Sequence, residues 1–230
     1  TGRTIGGSRH ARAMRRPFEA LETRTVPATI TVTSLADNTT TDSLVTLREA
    51  LEAANTDASV DGSTAGSGAD TIVFSSSLYA SGDVTVDVSS FDTGLDNGEV
   101  GPTAFQISSN ITIQGPTGDN GVTITRNSGT NFRLFAVTGA GDLTLDAVTI
   151  SNGAAVGFNG GTGRQAGGGG AGLGGAVFVN SGGALTIRNS LLSGNTAVGG
   201  SGGGTGSYWQ AGGGGGGLGA NGYNGSGGSG

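Results

Sequence analysis

The sequence predicts an all-β fold in which short parallel strands form coils that stack into a solenoid. Residues 135–157 and 177–199 align without a gap at an offset of 42, and eight of their paired positions are identical. The glycine-rich spacers that begin at Gln165 and Gln210 both read QAGGGG. A fixed period of about 20–50 residues is typical of solenoids and propellers. Propeller blades, the alternative at this period, usually have longer strands and more aromatic residues.

Apolar and polar residues alternate inside each copy of the repeat. Leu143 and Leu145 are separated by Thr144, and Leu185 and Ile187 occupy the equivalent positions of the second copy. A period of two predicts a strand with one buried face. Gly, Asn and Ser interrupt these runs, so the strands are short and joined by turns.

The offset of the repeat also predicts one specific contact between the two copies. If the copies lie on successive coils, Asp146 and Arg188 are neighbours on the outer face, about 4.8 Å apart. Such an opposite-charge pair contributes about 0.2–1 kcal/mol. Two separate, solvated charges are the alternative.

Composition restricts the class of protein. The chain has 230 residues with 49 Gly, no Cys and few aromatic residues, which suits the narrow interior of a solenoid. The lack of Cys excludes disulfides and thiolate metal sites. Residues 1–24 carry a net charge of +4 and the remainder −10. An acidic body argues against nucleic-acid binding, and no apolar window approaches the length of a transmembrane span.

We divide the chain into four parts. Residues 1–28 are expected to form a basic, disordered head of the targeting or processing kind, and residues 29–100 a cap with one short helix and the first strands. Residues 101–199 form the coils. Residues 200–230 begin a further repeat that the chain does not complete. Strands are predicted at residues 29–34, 71–74, 83–88, 111–113, 122–125 and 134–137.

The cap helix is predicted over residues 47–55. Thr46 and Glu49 fit the capping box S/T-x-x-E at its start. The apolar face of the helix is expected to comprise Leu44, Leu47, Leu51 and Ala54. A solenoid needs such a cap because its end exposes unpaired strand edges.

The glycine-rich residues 160–174 and 199–230 are predicted to be flexible loops, because they bury too little side-chain surface to become ordered. Tyr208 and Trp209 are interpreted as a local anchor for the second loop. A pair able to stack on a sugar is the alternative.

Few residues can carry chemistry. The weak catalytic candidates are Asp142, Asp146, Arg126 and Arg133, with Asp83 and Asp87 as a second acidic pair. Carboxylates at a spacing of four lie on one side of a strand, where a lyase or hydrolase could use them with Arg. Solubilising outward charges are the simpler interpretation. We expect no cofactor and no metal site, since His10 is the only histidine and no acid follows Asp146.

Two N-terminal stretches resemble known segments. Residues Leu21, Glu22, Arg24, Val26, Pro27 and Ala28 resemble the LE-x-R head of large surface or secreted proteins of planctomycete-like bacteria. This resemblance implies a role in export or sorting. The run from Leu47 to Ala50, LREA, resembles the CSLREA domain, with Val45 and Thr46 in place of Cys and Ser. In that family the element precedes pectin-lyase-like β-helices.

The body resembles two related groups of proteins. Residues 111–153 resemble the opening coils of bacterial right-handed parallel β-helix proteins. Gly174–Val177 and Phe178–Asn180 resemble the repeats of chlamydial polymorphic outer-membrane proteins and related adhesins. The resemblance implies a right-handed parallel β-helix with a short N-terminal capping helix and Gly-rich loops.

These observations together predict a non-enzymatic structural or adhesive protein, secreted or held at the bacterial cell surface or outer membrane. The expected partner is an extracellular polysaccharide or a host or matrix surface. A polysaccharide lyase or glycoside hydrolase of pectin-lyase-like fold is the alternative. Outward Thr123 and Thr125 also form a T-x-T pair similar to those of ice-binding solenoids, but the sequence shows no repeated rank of such pairs.

Overall fold

The computed structural model describes residues 1–2, 26–92, 101–206, 212–217 and 220–225, which form 14 strands and one α-helix. The strands are β1 Thr29–Val32, β2 Ala69–Phe74, β3 Val84–Val88, β4 Thr103–Ile107, β5 Asn110–Gln114, β6 Val122–Arg126, β7 Arg133–Val137, β8 Asp142–Asp146, β9 Val148–Ser151, β10 Ala154–Val156, β11 Val177–Val179, β12 Ala184–Arg188, β13 Leu191–Ser193 and β14 Thr196–Val198, and the helix α1 is Leu47–Thr56. Most of the basic head lies outside the described residues, and so do His10, Tyr208 and Trp209.

The described strands form four sheets, and every strand pair in them is parallel. The first sheet has the order β1-β2-β5-β8-β12, and the second has the order β13-β9-β6-β3. The third is β11-β7-β4, and the fourth is β10-β14. The predicted all-β class with parallel strands is confirmed. The propeller alternative is wrong, because its blades require antiparallel neighbours.

The sequence repeat coincides with a structural repeat. From β7 to β10 the chain passes through the third, first, second and fourth sheets, and from β11 to β14 it passes through them again in the same order. Register pairs such as Phe135 with Val177, Leu143 with Leu185 and Ala155 with Ala197 keep the offset of the sequence repeat. Each copy therefore stacks on the previous one in register.

The core consists of the inward residues of these strands. In the first sheet Ile30, Ile72, Leu143 and Leu145 are fully buried, as the alternation predicts. The strand β12 has the predicted register, but Ile187 is exposed because β12 is the edge of its sheet and no described strand covers it. The strand β4 was not predicted. Four of its five residues are buried, which removes the alternation that marks a half-buried strand.

The helix begins where the sequence predicts and runs one residue further, to Thr56. The Thr46 hydroxyl accepts a hydrogen bond from the Glu49 amide at 3.2 Å, and the Glu49 carboxylate accepts one from the Thr46 amide at 2.8 Å. The capping box is confirmed. Leu44 is half exposed and precedes the helix, so its predicted place on the buried face is wrong. No helix in the described part of the chain is both long and apolar enough to span a membrane.

The described glycine-rich segments are ordered by backbone hydrogen bonds. The amides of Gly157, Gly160 and Gly163 donate to the carbonyls of Val198, Ser201 and Gly204, a spacing of three on both sides. In the same way Gly200 and Gly203 donate to Gly170 and Gly167. A polyproline-II segment has three residues per turn and no hydrogen bonds within itself. A spacing of three, with hydrogen bonds only to neighbouring segments, fits this conformation. We call the described residues of 157–174, 199–206, 212–217 and 220–225 the glycine bundle.

The glycine bundle depends on the absence of side chains. A Cβ on Gly161 would lie 1.9 Å from the Tyr223 carbonyl oxygen, and one on Gly167 would lie 1.9 Å from that of Gly214. Only glycine permits this approach between backbones. In the described residues, backbone hydrogen bonds replace the side-chain burial that these segments lack, which argues against the prediction of flexible loops.

Candidate functional site

The predicted acidic pair lies at the two ends of β8, on the outer face of the first sheet. Asp146 forms an ion pair with Arg188 of the neighbouring strand at 3.2 Å and accepts a hydrogen bond from the Asn189 amide at 3.0 Å. The predicted contact between Asp146 and Arg188 is confirmed. It joins two coils, which gives the Asp146 carboxylate a structural role.

The second acidic pair belongs to another sheet. Asp87 lies exposed on β3, an edge strand of the second sheet, and Asp83 directly precedes that strand. The Asp83 carboxylate accepts a hydrogen bond from the Gly121 amide at 2.6 Å. Because the two pairs lie on the outer faces of different sheets, the structure does not bring them into one site.

Arg126, at the end of β6, is engaged by backbone carbonyls. Its guanidinium donates to the carbonyl of Asn152 at 2.7 Å, to that of Thr130 at 2.9 Å and to that of Ser128. The same group lies over the ring of Phe132, 5.8 Å from its centroid. Arg126 therefore holds the turn between β6 and β7 against β9.

Arg133, on β7, is buried and links three parts of the chain. Its guanidinium donates to the carbonyls of Gly101, Leu173 and Gly174 and to the Thr103 hydroxyl, at 3.0–3.3 Å. It also lies 5.3 Å from the centroid of the Phe178 ring. These contacts supply the hydrogen-bond partners that the buried Arg133 guanidinium needs. They also occupy the N–H groups with which Arg133 would bind a negatively charged substrate.

The four predicted catalytic candidates thus occupy separate places. Asp142 and Asp146 lie on the first sheet, Arg126 at a turn beside the second sheet and Arg133 inside the third. Among the residues described, no group of three or more His, Asp or Glu could hold a metal ion. No acid–base pair of the kind that a lyase requires is assembled from them.

A cleft of about 310 Å³ opens where the coils meet the glycine bundle. We call it the junction cleft. Its wall includes Val156 and Phe158, and its polar lining includes Thr130, Asn131, Asn159 and Asn221. Among the described residues that line it, Arg133 alone is charged, and its donors bind the protein itself. Sequence reasoning missed this cleft, because it exists only where the glycine bundle is ordered.

A second cleft of about 380 Å³ separates α1 from β4, and it explains the LREA motif. Leu47 and Ala50 are buried in the core, and Glu49 completes the capping box. Arg48 lies in the cleft wall, donates to the Ala104 carbonyl at 2.9 Å and stacks over the Phe105 ring at 4.8 Å. Leu47, Arg48 and Ala50 therefore fasten the helix to the coils, and Glu49 caps its first turn.

Arg48 also forms an ion pair with Asp37 at 2.6 Å. Burial raises the pKa of the Asp37 carboxyl, but the Arg48 charge and hydrogen bonds from Arg48, Ser89 and Ser90 outweigh burial and lower this pKa below its ordinary value. Asp37 is consequently ionised at neutral pH and joins the loop before α1 to the end of β3.

Comparisons with protein-family models, with curated proteins and with solved structures found no match to this chain.

Proposed function

We propose that the chain is a right-handed parallel β-helix that acts without catalysis, as a structural or adhesive protein outside the bacterial cell or on its surface. The observation that carries this proposal is the separate engagement of each candidate catalytic group. Asp146, Arg126 and Arg133 each bind other parts of the protein. The strands of successive coils meanwhile pair in register within four parallel sheets. Such a stack offers a long, stable surface.

The right-handed path is supported by a general rule. Connections between parallel strands of one sheet are right-handed in about 98% of known cases. The resemblance of residues 111–153 to opening coils of right-handed β-helices supports the same hand. A crystal structure that traces β7 to β11 tests it, and a left-handed path would contradict it.

The proposed location is supported by the LE-x-R head and the LREA element, both of which resemble parts of exported bacterial proteins. Protease treatment of intact cells that express the natural protein tests this location. Cleavage in intact cells is the expected result, and protection until the cells are lysed would contradict it.

The proposed partner is an extracellular polysaccharide, and we place its contact at the junction cleft. The apolar wall and side-chain amides of the cleft suit the mixed polar and apolar surface of a sugar. The purified chain is incubated with a panel of acidic and neutral polysaccharides and analysed by size exclusion. We expect at least one polysaccharide to co-elute at its original size. Conversion to shorter products would contradict a non-enzymatic role, and no co-elution would contradict adhesion to glycans.

Two matched variants test the location of the contact. Val156 and Val198 are register partners on β10 and β14, exposed by 41% and 54%, but only Val156 lines the junction cleft. Val156→Trp should fill the cleft and abolish co-elution, while Val198→Trp should preserve it. The double change Asp142→Asn and Asp146→Asn should also leave co-elution intact. Equal binding by both tryptophan variants would exclude the cleft.

A further inference from the structure

Every strand of the first sheet carries a threonine at the same register position of its outer face. The pairing of the strands aligns Thr29 with Thr71, Thr71 with Thr112, Thr112 with Thr144 and Thr144 with Thr186. We call these five residues the threonine rank. Stacked strands lie about 4.8 Å apart, so the rank is an array of hydroxyl and methyl groups with that period. Unequal loop lengths hide it in the sequence.

The hydroxyls of the threonine rank are open to an external partner. In the part of the chain that the structure describes, none of these five side-chain hydroxyls donates or accepts a hydrogen bond. On the second sheet, Thr85, Thr123 and Thr149 form a shorter row. The neighbouring Thr125 hydroxyl is engaged, because it donates to the Ser151 carbonyl and accepts from the Asn152 side-chain amide. A hydroxyl can both donate and accept, so the rank presents unused capacity of both kinds at regular intervals.

The outward strand positions at one end of the rank carry no charged residue in the part of the chain that the structure describes. The outward positions of β1, β2 and β5 are Thr29, Thr31, Ala69, Thr71, Val73, Asn110, Thr112 and Gln114. Asp70 of β2 points inward and is buried, so carboxylates on the outer face first appear on the fourth strand of the sheet, β8. Beneath the uncharged positions, the fully buried side chains of Ile30, Ile72 and Ile111 hold the three strands in place. The outer face of β1, β2 and β5 is therefore uncharged, and the buried core beneath it holds it in place.

We propose that the threonine rank binds ice. Ice is a ligand whose hydrogen-bonding groups repeat at fixed intervals, so a rank of unpartnered hydroxyls can hold several lattice waters at once. The methyl groups between them restrict the positions that interfacial water can adopt. The lack of charge at the outward positions of β1, β2 and β5 matters because an ionised group keeps a hydration shell that is costly to remove.

A sugar polymer is the less fitting ligand for this outer face. Sugar rings are held by broad apolar platforms, and the eight outward positions of β1, β2 and β5 include no aromatic residue. The methyl and hydroxyl groups of threonine are close in size to single water molecules and are much smaller than sugar rings. This inference concerns a different surface from the junction cleft, so either proposal can fail without the other.

The test compares purified full chains for thermal hysteresis and for inhibition of ice recrystallisation. We expect the unchanged chain to be active in both assays. Thr112→Lys, at the centre of the rank, should abolish both activities because it places a hydrated charge between Thr71 and Thr144. Thr112→Ser keeps the hydroxyl and should retain part of the activity.

The control is Gln106→Lys, which adds the same charge at an exposed position of the third sheet, outside any row of threonines. It should leave both activities unchanged, and circular dichroism melts should show that all variants fold. An inactive unchanged chain, or full activity in Thr112→Lys, would overturn the proposal. Thr112-dependent pelleting with insoluble cellulose or chitin, without hysteresis, would also overturn it and assign the rank to a polymer.

Discussion

Leu143 and Leu185 occupy register-paired positions on β8 and β12, yet they differ in burial. Leu143 is fully buried between neighbouring strands, whereas Leu185 is half-buried on an edge strand. Leu143→Asp should lower the free energy of unfolding by more than about 3 kcal/mol, because it buries an unpaired charge. Leu185→Asp should cost less than about 1.5 kcal/mol, since its carboxylate can reach water. Urea unfolding followed by circular dichroism measures both, and equal losses would contradict the burial difference.

The ion pair of Asp37 and Arg48 makes stability depend on pH. The Asp37 side chain is only 4% exposed, and its pKa is lower in the folded protein than in an unfolded chain. The ionised carboxylate therefore stabilises the fold at neutral pH, and this contribution disappears as the pH falls through the lowered pKa. The free energy of unfolding should fall more steeply below about pH 4 in the unchanged chain than in Asp37→Asn.

Urea midpoints at pH 7 and pH 3 test this expectation. At pH 7 the Asp37→Asn variant should be less stable by about 3 kcal/mol, because Arg48 loses its buried partner. At pH 3 the difference should shrink. The exposed Asp87→Asn serves as the control and should change stability by less than about 0.5 kcal/mol at both pH values. A constant difference for Asp37→Asn would contradict the ionised state of Asp37 at neutral pH.

At the scale of the elements, two glycine-to-alanine substitutions in the glycine bundle should differ clearly in their effect on stability. A Cβ on Gly161 meets the Tyr223 carbonyl at 1.9 Å, whereas a Cβ on Gly168 meets nothing within 4 Å. Gly161→Ala should force the backbones apart at a cost of about 1–3 kcal/mol. Gly168→Ala should be neutral or stabilise by up to about 1 kcal/mol.

Hydrogen exchange measured by mass spectrometry on peptides from residues 157–225 can separate the two variants. Exchange should accelerate in Gly161→Ala, because the amide hydrogen bonds between segments are lost. It should match the unchanged chain in Gly168→Ala. Fast exchange already present in the unchanged chain would restore the prediction of flexible loops.

The elements that the sequence predicted are those whose stability depends on side-chain burial. The alternation around Leu143 and the capping box of Thr46 and Glu49 mark β8 and α1, because each pattern arises from one local geometry. The strand β4 lacked such a signal because it is buried on both faces. The glycine bundle lacked such a signal because backbone hydrogen bonds hold its segments together. Backbone hydrogen bonds produce no periodic pattern of apolar residues in the sequence.

The candidate site was less predictable than the fold, because sites depend on which strands become neighbours. The spacing of Asp142 and Asp146 correctly places both on one side of β8. It does not reveal that Asp83 belongs to the second sheet or that Arg133 is buried in the third. The junction cleft and the threonine rank likewise join residues that are separated by loops of unequal length.

At the scale of the whole molecule, the two ends of the described coils differ. At one end α1 buries Leu47 and Leu51 against the first strands. At the other end, no described strand pairs with the outer side of β12, β13 or β14, and Leu191 is exposed by 59%. An exposed edge with apolar side chains pairs readily with other chains. The purified 230-residue chain should therefore self-associate as its concentration rises.

Sedimentation velocity over a range of concentrations measures this association. The double change Leu191→Lys and Val198→Lys should reduce it, because two like charges on the same edge repel a second copy. The melting temperature should stay unchanged, since both side chains already contact water. Val26→Lys, which alters an exposed valine before β1, is the control and should not affect association. Association that persists in the double variant would place the contact elsewhere and leave the exposed edge as a surface that tolerates water.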